Sequence, residues 1–163
     1  MIRAIRDSDC DQIALIEAQT FNTALDRGNL LTFMDMNAFC GFVDEINIPK
    51  NLNTKDKVSN LENAYTLVGY LLATIIVDEA EIFSIVVRSE HQKCGRGAGL
   101  LTHFLAHLAA ENVKSVLLEV AADNVPALSL YNRHGFFEFG RRVSYYKRAD
   151  GNCDAVMMRR LNN

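Results

Sequence analysis

At 163 residues, 49% hydrophobic and 23% charged, the chain has the composition of a single globular domain (1–163) long enough to bury a core. A net charge of −3 argues against the concentrated basic surface that nucleic-acid binding needs. Four scattered cysteines, Cys10, Cys40, Cys94 and Cys153, form no C-x-x-C pair, so neither a disulfide framework nor a zinc knuckle is indicated, and a reducing cytoplasm suits them.

The first residues carry Arg3, Arg6, Asp7, Asp9 and Asp11, which is unlike a secretory signal. They also read as a short strand through Ile2 and Ala4, a polar turn with Ser8 or Asp9 as helix cap, and a helix turning Ile13 and Ile16 inward. A second helix is expected within Asn29 to Cys40, bounded by Gly28 and Gly41. Ile46 to Asn63 is polar and unpatterned and reads as a surface loop. The apolar run Tyr65 to Val77 is too short to span a bilayer, and with "EIFSIVV" (Glu81 to Val87) it forms a buried hairpin.

After the hairpin comes "HQKCGRGAGLL", with Gly95, Gly97 and Gly99 close together, and then a helical repeat through Leu101, Phe104, Leu105 and Leu108. Ser115 to Val120 is another strand. A helix follows, capped by Asp123 or Asn124, with Pro126 in its first turn and Gly135 at its end. Two strands, Phe136 to Tyr146 and Asp154 to Leu161, joined by the turn "RADGN", close the chain. A strand and two helices, a hairpin, and then alternating helices and strands imply a mixed sheet flanked by helices.

The glycines admit three readings. A P-loop requires a Lys and a Ser or Thr after the last glycine, but Ala98 follows Gly97 and Leu100 follows Gly99. A dinucleotide fingerprint requires a third glycine where Leu100 stands, although Glu119 has the spacing of its acidic residue. The third reading is an anion site, in which small residues let successive N–H groups converge at a helix N-terminus while Lys93 and Arg96 add charge. A tight turn alone would also explain the glycines.

Four segments narrow the choice: "EIFSIVVRSEHQKCGRGAGLL", "LLEVAADNVPALSLYNRHGF", "RRVSYY" and "DGNCDAVMM". From Tyr65 onward the chain resembles the GNAT superfamily of N-acetyltransferases, and most of all its RimI-type ribosomal-protein-alanine members. The resemblance implies an α/β (α+β) fold: a mixed, mostly antiparallel central sheet, splayed between two parallel strands and flanked by helices. It also implies acetyl-CoA as cosubstrate, no metal, and a protein or peptide N-terminus as partner.

Carried onto this sequence, the resemblance places the splayed strand at Ile85, Val86 and Val87, whose free backbone groups would pair with pantetheine and polarise the thioester. It places the pyrophosphate turn at Lys93, Cys94, Gly95, Arg96, Gly97 and Ala98, and a contact to the cofactor arm at Asn124, where helix capping is the simpler reading. Glu119 and Tyr131 match the general base and general acid. The chemistry suits them, because an α-amine with a pKa of about 7.7 to 8.0 must lose a proton before it attacks, and a departing thiolate can take one from a phenol.

Glu81 is the rival base, since some superfamily members place a glutamate on the preceding strand; a solvated edge is its plainer role. His103 and His107 have zinc-ligand spacing but no third ligand, and read as a solvated helix face. Cys94 carries no role that the chemistry requires. The first 64 residues hold ten acidic against six basic side chains, which suits a basic acceptor such as a ribosomal-protein N-terminus. The "TFNTALDRG" that follows the first helix, in a chain without Trp, departs from the Pro-Trp-Ser stretch of RimI-type proteins. Acetylation of a small amine or antibiotic is the alternative activity, and a non-catalytic acetyl-CoA binding module the alternative class.

Overall fold

The computed structural model describes residues 1–21, 24–47, 65–148 and 151–162. Its strands are β1 (Ile2–Ala4), β2 (Phe39–Asn47), β3 (Tyr65–Ile76), β4 (Glu79–Val87), β5 (Ser115–Ala121), β6 (Phe137–Tyr146) and β7 (Cys153–Leu161). Its helices are α1 (Cys10–Thr20), α2 (Arg27–Met34), α3 (Arg96–Ala110) and α4 (Val125–Arg133). The strands form one seven-stranded sheet in the order β1-β2-β3-β4-β5-β7-β6, antiparallel throughout except for the pair β4 and β5.

Apolar clusters cover both faces of the sheet. Leu100, Leu101, Phe104 and Leu108 of α3 pack with Leu71, Ala73, Ile82, Val116 and Leu118, and Tyr131 of α4 joins them. Ile13 and Ile16 of α1 and Leu30 of α2 pack on Val43, Leu67, Tyr70, Leu72 and Val86. Neighbouring residues of β3 therefore enter opposite cores, and this is why its sequence is a continuous apolar run rather than an alternation.

The second helix and the strand after it differ from the sequence expectation. Asp26 caps α2 by accepting from the Asn29 N–H at 2.8 Å, so Gly28 lies inside the helix, and Gly41 lies inside β2. Periodicity did not reveal β2 because it is buried on both faces and yet carries Asp44 and Glu45, whose charges are met by Arg96 and Arg3. Ile46 and Asn47, read as the start of a loop, end this strand; the rest of that segment, and Ala149 and Asp150 of the last turn, lie outside the described residues.

Asp9 ties the first elements together. Fully buried, its carboxylate accepts from both terminal nitrogens of Arg3 at 2.7 and 2.9 Å, from the Arg6 N–H at 2.8 Å and from the Tyr65 hydroxyl at 2.8 Å. Burial alone would raise its pKa, but these donors outweigh it and hold the carboxyl below its ordinary value. Asp9 precedes α1 as expected, yet its side chain braces β1 and β3 and makes no side-chain cap to the helix.

Candidate active site

The site begins where two strands part. β4 and β5 pair in parallel from Glu79 opposite Ser115 to Ile82 opposite Leu118 and no further. At that point β4 carries a bulge: Ala73 of β3 faces Ile82 and Leu72 faces Ser84, so Phe83 is the extra residue that turns the strand. Beyond it, the Arg88 N–H donates to the Val68 carbonyl at 2.9 Å. Backbone alternation then directs Val86 to β3 as well, while Ile85 and Val87 present their polar groups to the opened side. Gln92 Nε2 donates to the Val87 carbonyl at 2.9 Å.

Two cavities meet at this opening. The first, about 460 Å³, is lined by Ile85, Val87, Lys93, Gly95, Arg96, Gly97, Ala98 and Asn124, among others. The second, about 610 Å³, is lined by Phe21, Phe83, Ser84, Glu119, Tyr131, Tyr146, Lys147 and Arg148, among others. Ile85, Asn124 and Ala127 line both.

The first cavity has the chemistry of an anion site. His91, Lys93, Arg96 and Arg133 line it, and among the described residues no Asp or Glu does. Lys93 (φ 59°) and Gly95 (φ 79°) turn the chain into α3, and no side chain caps the helix, leaving the first-turn N–H groups of Arg96, Gly97 and Ala98 for a ligand. A Cβ on Gly97 would meet only Leu130 at 3.7 Å and Val87 at 3.8 Å, which is ordinary contact, so what its absence leaves open is the cavity. Two of the residues anticipated from sequence stand elsewhere. The Val86 side chain is buried in the α1/α2 core, and Cys94 is exposed off the cavity lining. Arg96 is ion-paired to Asp44 at 2.7 Å.

Among the described residues Glu119 is the only carboxylate lining the second cavity. It stands on β5 one residue past the last pairing with β4, and its Oε1 is ion-paired with Arg142 of β6 at 3.1 Å. Tyr131 projects from α4, 7% exposed, its ring 5.6 Å from that of Phe136. Burial, with the neighbouring Tyr146 adding to it, pushes its phenol up to about 12. Tyr146 is also raised, by burial and then by the Glu119 charge. Asn124 caps α4, accepting from the Ala127 N–H at 3.2 Å, while lining both cavities. Glu81 lies in the paired part of β4 opposite Leu117, exposed and off both linings.

Sequence reasoning did not find Phe83, Arg142 or Asp44. Phe83 is distinguished only by the bulge, and the two charges only by partners on other strands. His103 and His107 set their rings edge-on to Phe42, at 4.8 and 5.4 Å between centroids. Among the described residues no group of three or more His, Cys, Asp or Glu could hold a metal ion, and no helix is long and apolar enough to cross a membrane.

A sheet parted beside a basic, glycine-lined helix start is the geometry of an anion-binding fold. The chain belongs to the acetyltransferase (GNAT) family, whose model matches residues 41–136. It is 36% identical over 92 residues to the [ribosomal protein bS18]-alanine N-acetyltransferase of Escherichia coli K12, covering 56% of this chain and 62% of that protein. The chain thus spans about three fifths of the length of this curated relative, and the same holds for its Salmonella typhimurium counterpart, with the same identity and coverage. An N-acetyltransferase of Methanocaldococcus jannaschii is 28% identical over 161 residues, covering 97% of this chain and 89% of the relative. The crystal structure of the E. coli ribosomal-protein-S18-alanine N-acetyltransferase superposes with TM-score 0.80 at 24% identity over 99% of this chain and 92% of that one, a likeness of fold.

Proposed function

We propose that the chain transfers the acetyl group of acetyl-CoA to the N-terminal α-amine of a protein, of the ribosomal-protein type, in the cytoplasm. The observation that carries this reading is the junction of a basic cavity, lined among the described residues by no carboxylate, with a second cavity that holds the Glu119 carboxylate and the buried Tyr131 phenol. Family membership supplies the donor, and the bS18-alanine N-acetyltransferases among the relatives suggest the acceptor.

The residues fit the donor. The N–H groups at the start of α3 and the Lys93 side chain would hold the pyrophosphate, and the outward-facing backbone of Ile85 and Val87 would pair with the pantetheine amides. Acetyl-CoA supplies a thioester carbonyl, which an N–H of the same strand segment can polarise. Glu119 takes a proton from the acceptor ammonium, directly or through water. The amine nitrogen then attacks the carbonyl carbon; the C–N bond forms, the C–S bond breaks, and the electron pair leaves on sulfur. Tyr131, a phenol at neutral pH with burial pushing its pKa up to about 12, gives that sulfur a proton; the amide nitrogen sheds its second proton as the product forms, and that proton returns through solvent to the Tyr131 oxygen. The chemistry calls for no metal.

A panel of peptide N-termini and small amines, assayed with acetyl-CoA and thiol release, tests the reading: peptides with a free α-amine should turn over fastest. Preference for small amines would move the acceptor to that class, and cofactor binding without turnover on any amine would leave a binding module. Gly97→Val should fold, since a Cβ there meets nothing closer than 3.7 Å, but should fill the cradle and abolish acetyl-CoA binding by calorimetry.

A further inference from the structure

We propose that Asp44 is a positioning residue for the cofactor: from β2 it holds Arg96 so that the guanidinium's remaining donors meet the pyrophosphate. This rests on the reading of the first cavity as the acetyl-CoA site. Asp44 and Arg96 are 52 positions apart in sequence, yet Arg96 Nη1 donates to Asp44 Oδ2 at 2.7 Å. Arg96 is the first residue of α3 and lines the cavity, whereas Asp44 lies on β2 and lines neither cavity.

Exposure decides which way the pair works. The Asp44 side chain is 5% exposed and that of Arg96 29% exposed. The other oxygen of Asp44 is 3.3 Å from the amino group of Met1, a residue that is itself 75% exposed. An arginine that swung away to a ligand would leave a buried carboxylate with that single, solvated partner, which is costly. Arg96 therefore stays on Asp44. A guanidinium has five N–H donors in a fixed fork, so one nitrogen engaged by a carboxylate leaves others for phosphate oxygens. A long side chain fixed beforehand also loses less rotational freedom when the ligand arrives.

The test is a double-mutant cycle on acetyl-CoA affinity, measured by calorimetry on folded wild type, Asp44→Asn, Arg96→Gln and the double variant, with urea midpoints recorded for each. The expected result is a Kd roughly tenfold higher for either single variant and no further loss in the double, because Asp44 acts only through Arg96. Arg96→Lys, which keeps charge but not the fork, should recover part of the affinity. A purely structural Asp44 would give losses that multiply, and an Asp44 that restrains Arg96 away from the ligand would give tighter binding in Asp44→Asn; either overturns the proposal. Should Asp44→Asn fail to fold, Arg96→Gln with unchanged affinity overturns it equally. Wild-type protein that does not bind acetyl-CoA would instead sink the cofactor reading on which the proposal rests.

Discussion

Glu119 and Tyr131 face one cavity and act on different protons, so they should fail differently. Glu119→Gln keeps the size of the side chain but can neither pair a charge with Arg142 nor take the amine proton. Turnover should fall by about 10²-fold or more at neutral pH. It should partly recover as the pH rises past about 8, where the α-amine is already neutral. Tyr131→Phe keeps the ring against Phe136 and removes only the proton donor. Its loss should persist at high pH, and acetyl-CoA affinity should be unchanged in both variants. The measurement is a pH–rate profile for each; wild-type turnover in Glu119→Gln with loss in Glu81→Gln would move the base to β4.

At the scale of elements, the first strand and helix are held to the sheet by one buried carboxylate. Asp9→Asn removes the charge that pairs with Arg3 while keeping the shape, and leaves Arg3, 12% exposed, with Glu45 as its one carboxylate partner among the described residues. The loss of stability should be about 3 kcal/mol, read from urea unfolding at neutral pH. Its sign with pH follows from the lowered carboxyl. The stabilisation is fully present above the unfolded-state value, about 3.9, and is lost as pH falls through the folded-state value, so the two proteins should converge in acid. The bulge at Phe83 is an element-scale device too. It lets a strand that pairs on both sides up to Ile82 leave one side open beyond it, and so frees the backbone of Ile85 and Val87.

For the molecule as a whole, the sheet works as a partition with a gap, and among the described residues the two cavities adjoin where Ile85, Asn124 and Ala127 line both. Ala127 is the smallest of the three. Ala127→Phe should plug the junction from the α4 side. Acetyl-CoA affinity and turnover should both drop by about tenfold or more, because an overpacked side chain at a junction obstructs whatever must pass it. A melting temperature within a few degrees of wild type would show that the fold survived, and unchanged turnover would show that transfer does not run through the junction.

The sequence by itself determined the order of most elements, the glycine turn into α3, the cap and stop of α4, and the residues that resemble an acetyl-transfer motif. These are local matters of periodicity, turn chemistry and short motifs, legible within a dozen neighbouring residues. Tertiary structure decided the rest. β2 was hidden because its charged residues are neutralised by partners on β1 and α3, which no window of sequence contains. Asp9, expected only as a cap, became a buried brace because Tyr65 comes to it from β3. The side of the sheet to which Val86 points follows from the register with β3 and the bulge before it, and a one-residue offset reverses every side chain beyond. Whether Arg96 stands free or paired, and which carboxylate faces the cavity, are likewise set by contacts between residues far apart in the chain, and only folding brings those together.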